Sequence, residues 1–254
     1  MIAGMAMKGF VVVAITLLSA CRSASPGAPP TATPTATPPA AAAADDRDPD
    51  SIRWVRDSAE YYAALLQVYR LATARVEAEA RTRTAGAWAV VLDADETVIS
   101  NLTYQIDRAR QGLTFSPESW TAWVKRREAT PLPGAAAFLS RVRERGGRIA
   151  IVTNRLASEC DDTEAVFRRH ALVYDAMLCR PDGTPSDKNP RFEAVAAGKT
   201  AAGSAPLEIV AVIGDNIQDF PRLNQAIRSK GDAGFGEFGT RYFVVPNPMY
   251  GSWQ

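Results

Sequence analysis

Apolar residues recur along this chain in two rhythms. Trp54, Ala59, Tyr62, Leu65, Leu66, Tyr69 and Ala72 return every three or four positions, which predicts one long helix over 51–83, with Ser51 or Asp50 able to cap its start. Beyond it come five short apolar runs, at 88–92, 148–152, 175–179, 208–213 and 241–245, each short enough to be a buried strand. Helical patterns fill the gaps around 135–145, 158–170, 190–197 and 220–229. Strands alternating with helices predict an α/β fold with a parallel sheet covered by helices on both faces. Ligands of such sheets sit outside the carboxyl ends of the strands.

The pattern breaks down before residue 51. Lys8 is followed by an apolar run at 9–18, too short to span a bilayer and suited to a signal peptide over 1–20. The run ends in Leu18-Ser19-Ala20-Cys21, which resembles a bacterial lipobox, so Cys21 is the expected lipidation site; a plain secretory signal with an incidental cysteine is the alternative. A lipid there would anchor the protein rather than span it through the membrane. Arg22 follows the cysteine, which favours the outer membrane if the source is a Gram-negative cell. Residues 21–50 are dominated by Pro, Ala, Thr and Ser and read as an extended tether, leaving 51–254 to fold.

Composition narrows the chemistry. The 29 basic and 28 acidic residues nearly cancel, so no basic excess exists to neutralise a nucleic acid polymer. A single histidine, His170, excludes multi-histidine zinc sites and the HExxH motif. A Ser-His-Asp or Cys-His site would have to use His170, and no local nucleophile signature such as GxSxG appears, so any reaction must come mainly from carboxylates, lysine or an oxygen-held metal.

Polar groups of that kind follow the predicted strands. Asp93 and Asp95 come after the first, Thr153 and Asn154 after the second, Lys188 beyond the third, and Asp215 and Asp219 after the fourth. All converge on one sheet edge. Clustered carboxylates repel unless a cation joins them, and oxygen-only ligation points to Mg²⁺. Lys188 adds a fixed positive charge, and Thr153 and Asn154 add neutral donors, a set suited to phosphoryl oxygens. A carboxylate nucleophile would form an acyl phosphate that water then cleaves, with a neighbouring carboxyl as acid and base.

Those four segments resemble the four motifs of the haloacid dehalogenase (HAD) superfamily. VLDADETVISN and IGDNIQDF resemble the two signatures of class C acid phosphatases. RDSAEYYAAL, SWTAWVKRREATPLPGAAAF, IVTNR and PNPMYGSW look like the lipoprotein e group of that class, so the likeness covers nearly all of 51–254. Ala94 is smaller than the residue common in that group between the two aspartates. The resemblance implies a HAD-like Rossmannoid sheet with a small helical cap drawn from about 51–84 and 100–130. It implies Asp93 as nucleophile and metal ligand, and Asp95 as general acid–base that binds metal through its backbone carbonyl. Asp215 would be a ligand, and Asp219 a ligand or a support for one. Thr153, Asn154 and Lys188 would hold the phosphate of a small phosphomonoester, such as a 5′-nucleotide or nicotinamide mononucleotide. Trp120, Tyr250 and Phe115 would face its base. Phosphotransfer to an alcohol, C–X cleavage, and a silent binding lipoprotein are the competing readings.

Other signals are weaker. Gly234-Phe235-Gly236-Glu237-Phe238-Gly239 fits GxGxxG but precedes a strand, so it reads as a loop. Cys160 and Cys179 lie near the ends of neighbouring strands, and export would permit a disulfide between them.

Overall fold

The computed structural model describes residues 48–200 and 205–254, and the expected signal, Cys21 and nearly all of the expected tether lie outside them. Helix α1 (Asp50–Asp57) leads into α2 (Ala59–Ala80), then β1 (Trp88–Leu92), β2 (Ile99–Ser100), α3 (Leu102–Arg110) and α4 (Pro117–Arg126). β3 (Thr130–Pro131), α5 (Ala135–Glu144), β4 (Arg148–Leu156), α6 (Cys160–Arg169), β5 (Ala176–Arg180) and α7 (Asn189–Ala196) follow, and β6 (Glu208–Gly214) and β7 (Tyr242–Val244) complete the order. The five-stranded sheet runs β5-β4-β1-β6-β7 and is parallel throughout. β2 and β3 form a separate antiparallel pair.

The apolar runs become strands because both faces of the sheet are covered. Every residue of β1 is buried. Trp88, Val90 and Leu92 enter one core with Leu65, Tyr69 and Phe138, while Ala89 and Val91 enter the other with Phe192 and Val195. Alternate side chains thus point to opposite helix layers, and continuous hydrophobicity is the signature of a strand buried on both sides. β1 is the topological centre. The chain winds outward from it through β4 to β5, then returns to its other side as β6 and β7, which opens a crevice beyond its carboxyl end.

Four sequence expectations change. The single N-terminal helix is two, because Ser58 adopts an extended conformation and its hydroxyl accepts from the Tyr61 backbone N–H at 3.0 Å, restarting the helix. Neither Ser51 nor Asp50 caps α1; Pro49 precedes it without a side-chain bond. The tether ends earlier than residue 50, since the Asp48 carboxylate is buried and paired with Arg56 and Arg110. The predicted helix over 220–229 is instead a turn followed by a 3₁₀ segment, Gln225–Phe235. Pro221 disfavours helical backbone at Phe220, Arg222 takes a φ of 61°, and Asn224 caps the later segment by accepting from the Ala226 N–H at 3.0 Å.

α2 packs on α5, β6 and β7 as part of the helix layer over the sheet, while α1 packs on α3. The GxGxxG stretch spans the end of the 3₁₀ segment and a turn before β7, as a loop reading requires.

Cys160 at the start of α6 is bonded to Cys179 in β5, with Cα atoms 6.0 Å apart. The bond closes a loop of sequence separation 19, for which chain entropy gives about 3 kcal/mol. Reduction is expected to lower the melting temperature reversibly, read by calorimetry with and without a thiol reductant. An unchanged transition would refute the linkage.

Candidate active site

Asp93 is the first residue past β1, and its N–H continues the ladder by donating to the Ile213 carbonyl at 3.0 Å. The chain then turns sharply. Val98 and Ile99 N–H groups both donate to the Ala94 carbonyl, and Glu96 takes a φ of 49°. Ala94 is fully buried in this turn. The turn places the Asp93 and Asp95 carboxylates on the wall of one cavity of about 980 Å³, together with Asn154, Lys188, Asp215 and Asp219.

Lys188 is buried and donates to Asp93 Oδ1 at 2.5 Å and to Asp219 Oδ1 at 2.6 Å. Burial works against its ammonium, but the two carboxylates outweigh it and keep the group protonated. Burial pushes Asp93 up to about 7, with Lys188 opposing and Asp219 and Asp95 adding to the rise. Asp215 is likewise pushed up, first by burial and then by Asp219 and Asp93, although the Asn247 amide donates to it at 2.8 Å. Oxygens of Asp93, Asp215 and Asp219 lie within 4.8 Å of one another. Such crowding of carboxylates is costly without a cation, and an all-oxygen set suits a hard divalent ion.

Asp219 is held by close packing. Its second oxygen accepts from the Asn216 N–H at 2.9 Å. A Cβ at Gly214 would fall 2.3 Å from the Asp219 Cβ, so only glycine lets the strand end pass under this side chain. With both oxygens engaged by Lys188 and Asn216, Asp219 is built to fix the lysine.

Asp95 has partners that the sequence reading missed. Arg155, buried in β4, donates to its carboxylate at 2.8–3.2 Å and to Asn101 Oδ1 at 3.0 Å. Asn101 donates in turn to Asp95 at 2.8 Å, and the Trp123 indole donates to Asn101 Oδ1 at 2.9 Å. Glu96 is fully buried, accepts from the Asn101 N–H at 2.6 Å and from the Tyr250 phenol, and burial pushes it up to about 7. An arginine next to Thr153-Asn154 at a strand end was the available signal, because a buried guanidinium requires a carboxylate.

The remaining candidates divide. Thr153 is fully buried and its hydroxyl accepts from the Arg155 N–H at 3.1 Å. Asn154 lines the cavity with its carbonyl oxygen held by Arg191 at 2.6 Å. Trp120, Phe115 and Tyr250 all line the cavity. The Arg155 guanidinium lies 5.4 Å from the Trp120 ring centroid, Tyr104 meets the same ring edge-on at 5.3 Å, and Phe115 is tilted against it at 6.3 Å. Phe115 is largely exposed. His170 closes α6 and is not among the cavity-lining residues.

Comparison with known proteins agrees with this geometry. Residues 12–253 match the family described as HAD superfamily, subfamily IIIB (acid phosphatase). The fold is similar to the class C acid phosphatase from Bacillus anthracis, with a TM-score of 0.68 and 26% identity over 80% of this chain and 84% of that one. The same Bacillus anthracis enzyme with tungstate bound matches at a TM-score of 0.68 and 27% identity, again over 80% and 84%. A parallel sheet with acids gathered beyond its central strand, a matching family over nearly the whole length and a class C neighbour lead to one conclusion: the chain belongs to the subfamily IIIB acid phosphatases of the HAD superfamily and is a phosphomonoesterase.

Proposed function

We propose that the protein hydrolyses small phosphomonoesters by double displacement at Asp93, with Mg²⁺ as its ion. The observation that carries this reading is the buried Lys188 bridge between Asp93 and Asp219 beside Asp215. An Asp93 oxygen attacks phosphorus, the P–O bond to the alcohol breaks, and Asp95 gives its proton to the departing alcohol oxygen. Asp95 then removes a proton from water as it attacks phosphorus, which releases phosphate and frees Asp93. Arg155 and Asn101 hold the Asp95 carboxylate in place for both transfers. Lys188 offsets phosphoryl charge, and Asn154, its carbonyl oxygen fixed by Arg191, presents its amide to the cavity. Thr153 supports the loop through Arg155. Asp93, Asp215 and the Asp95 backbone carbonyl would hold Mg²⁺, with Asp219 securing Lys188 beside them. When bound, the ion supplies positive charge against the phosphoryl oxygens. The tungstate held by the Bacillus anthracis neighbour is a tetrahedral oxyanion and supports an oxyanion site of this kind.

A 5′-nucleotide or nicotinamide mononucleotide is the substrate class we favour. The cavity is large, and Trp120 lines it together with the acids. Tyr250 contributes less to stacking than the sequence suggests, because its phenol is tied to Glu96. For location, we propose export and lipid anchoring at Cys21, in an outer membrane if the source is Gram-negative. Among the described residues no helix is long and apolar enough to cross a membrane.

Initial rates over nucleoside monophosphates, nicotinamide mononucleotide and glycerol phosphate test the reading. Chelation is expected to abolish activity and added Mg²⁺ to restore it. Trp120→Ala is expected to raise KM for nucleotides about 5–100-fold more than for glycerol phosphate, the size of one base–aromatic contact. Turnover that survives chelation removes the metal, and a flat substrate profile removes the base contact.

A further inference from the structure

Most cationic side chains on the cavity wall are already engaged. Lys188 bridges two aspartates, Arg155 is bound to Asp95, and Arg108 donates to the Thr114 carbonyl. Arg180 is different. It lines the same cavity, yet among the described residues its guanidinium has no ion pair and no hydrogen-bond acceptor. Its Nε is shielded from solvent and unpaired, in a protein where buried donors are otherwise almost all satisfied. The nearest acid in sequence, Asp182, feels the Arg180 charge but makes its hydrogen bond with the Ser158 N–H, at 3.2 Å.

Arg180 is also held in place. It is the last residue of β5, and its backbone pairs with Leu156 of β4. The preceding residue, Cys179, is bonded to Cys160, whose neighbour Glu159 lines the cavity and accepts from Thr121 on α4. A strand end fixed in this way leaves only the arginine's own side chain to be ordered when an anion binds. β5 lies two strands from β1, and the strand register puts Leu178 level with Asp93, just past the end of β1, so the usual spacings set Arg180 about 10 Å across the sheet and about 7 Å further along it from Asp93.

We propose that Arg180 is a specificity-determining residue that binds a second anionic group on the substrate. Within the favoured nucleotide class, molecules that carry another phosphate or a carboxylate on the side facing β5 are then turned over in preference to the plain 5′-monophosphates. This rests on the reading that hydrolysis occurs at Asp93 in this cavity.

The test compares kcat/KM for alkanediol bisphosphates of graded length, for phosphorylated carboxylic acids of similar length, and for the matched alkyl monophosphates. The wild-type protein is expected to prefer a doubly charged substrate at one length. In Arg180→Met that preference ratio falls about 10–100-fold, the range of one charge-assisted hydrogen bond, and Arg180→Lys recovers part of it. Circular dichroism and melting temperature confirm that each variant folds. The two doubly charged series distinguish a phosphate from a carboxylate as the second group. No preference in the wild-type protein, or an equal fall for singly and doubly charged substrates in Arg180→Met, overturns the proposal. Asp93→Asn separates it from its premise: if that variant still turns over either substrate class, the reaction lies elsewhere and the proposal falls with its premise, whereas an inactive Asp93→Asn beside an unchanged preference in Arg180→Met overturns the proposal alone.

Discussion

Asp93→Asn is expected to lower kcat for p-nitrophenyl phosphate by at least ~10⁴-fold, a barrier increase of at least roughly 5 kcal/mol. The amide keeps the shape and a carbonyl oxygen, so the loss isolates nucleophilicity from packing. Asp93 lies with Asp215 and Asp219 in one buried cluster, and Lys188 still has Asp219 as a partner after the change. The neutral side chain removes carboxylate repulsion, so in metal-free protein the variant should melt no lower than the wild type. Sites that hold like charges close together trade stability for chemistry. Steady-state kinetics and a thermal melt check both halves. Turnover within about 100-fold of the wild-type rate would show that Asp93 does less than nucleophilic attack requires.

Lys188→Met should move stability the other way. Methionine fills much the same volume but leaves Asp93 and Asp219 buried without their shared cation. Breaking a buried pair by removing one partner costs about 3–5 kcal/mol, and metal-free protein should show it as a large drop in melting temperature. Loss of a fixed positive charge from the phosphoryl site should also lower kcat/KM about 10²–10³-fold. The double variant with Asp93→Asn distinguishes the two effects. If the cost is the unpaired charge, the second change returns part of the lost stability and none of the activity. A Lys188→Met protein as stable as the wild type would mean that the bridge contributes nothing to holding the acids together.

The two variants act on residues that could be found in the sequence for a physical reason. Strands buried on both faces are written as unbroken apolar runs, and the acids after them need only those strand ends to be assigned. Asp93, Lys188, Asp215 and Asp219 were legible in this way. Arg155 was not: an arginine at a strand end signals that a carboxylate partner is needed, but nothing local says that the partner is Asp95, 60 positions earlier. The Glu96–Tyr250 pair is hidden for the same reason, spanning 154 positions. The break at Ser58 was missed because the apolar period continues across it, while one hydroxyl decides where the helix restarts. Asp48 looked like tether because its partner Arg110 lies far along the chain. Local rhythm reveals elements; side chains that pair across the fold must be seen in three dimensions.

Gly214 has a consequence for how this protein can change. It has no functional group, yet any side chain there would occupy the space of Asp219 and dislodge the carboxylate that steadies Lys188. In a library that varies every position and selects for hydrolysis, Gly214 should tolerate as few replacements as Asp93. A reader of that tolerance map would score an empty space as though it were a reactive group.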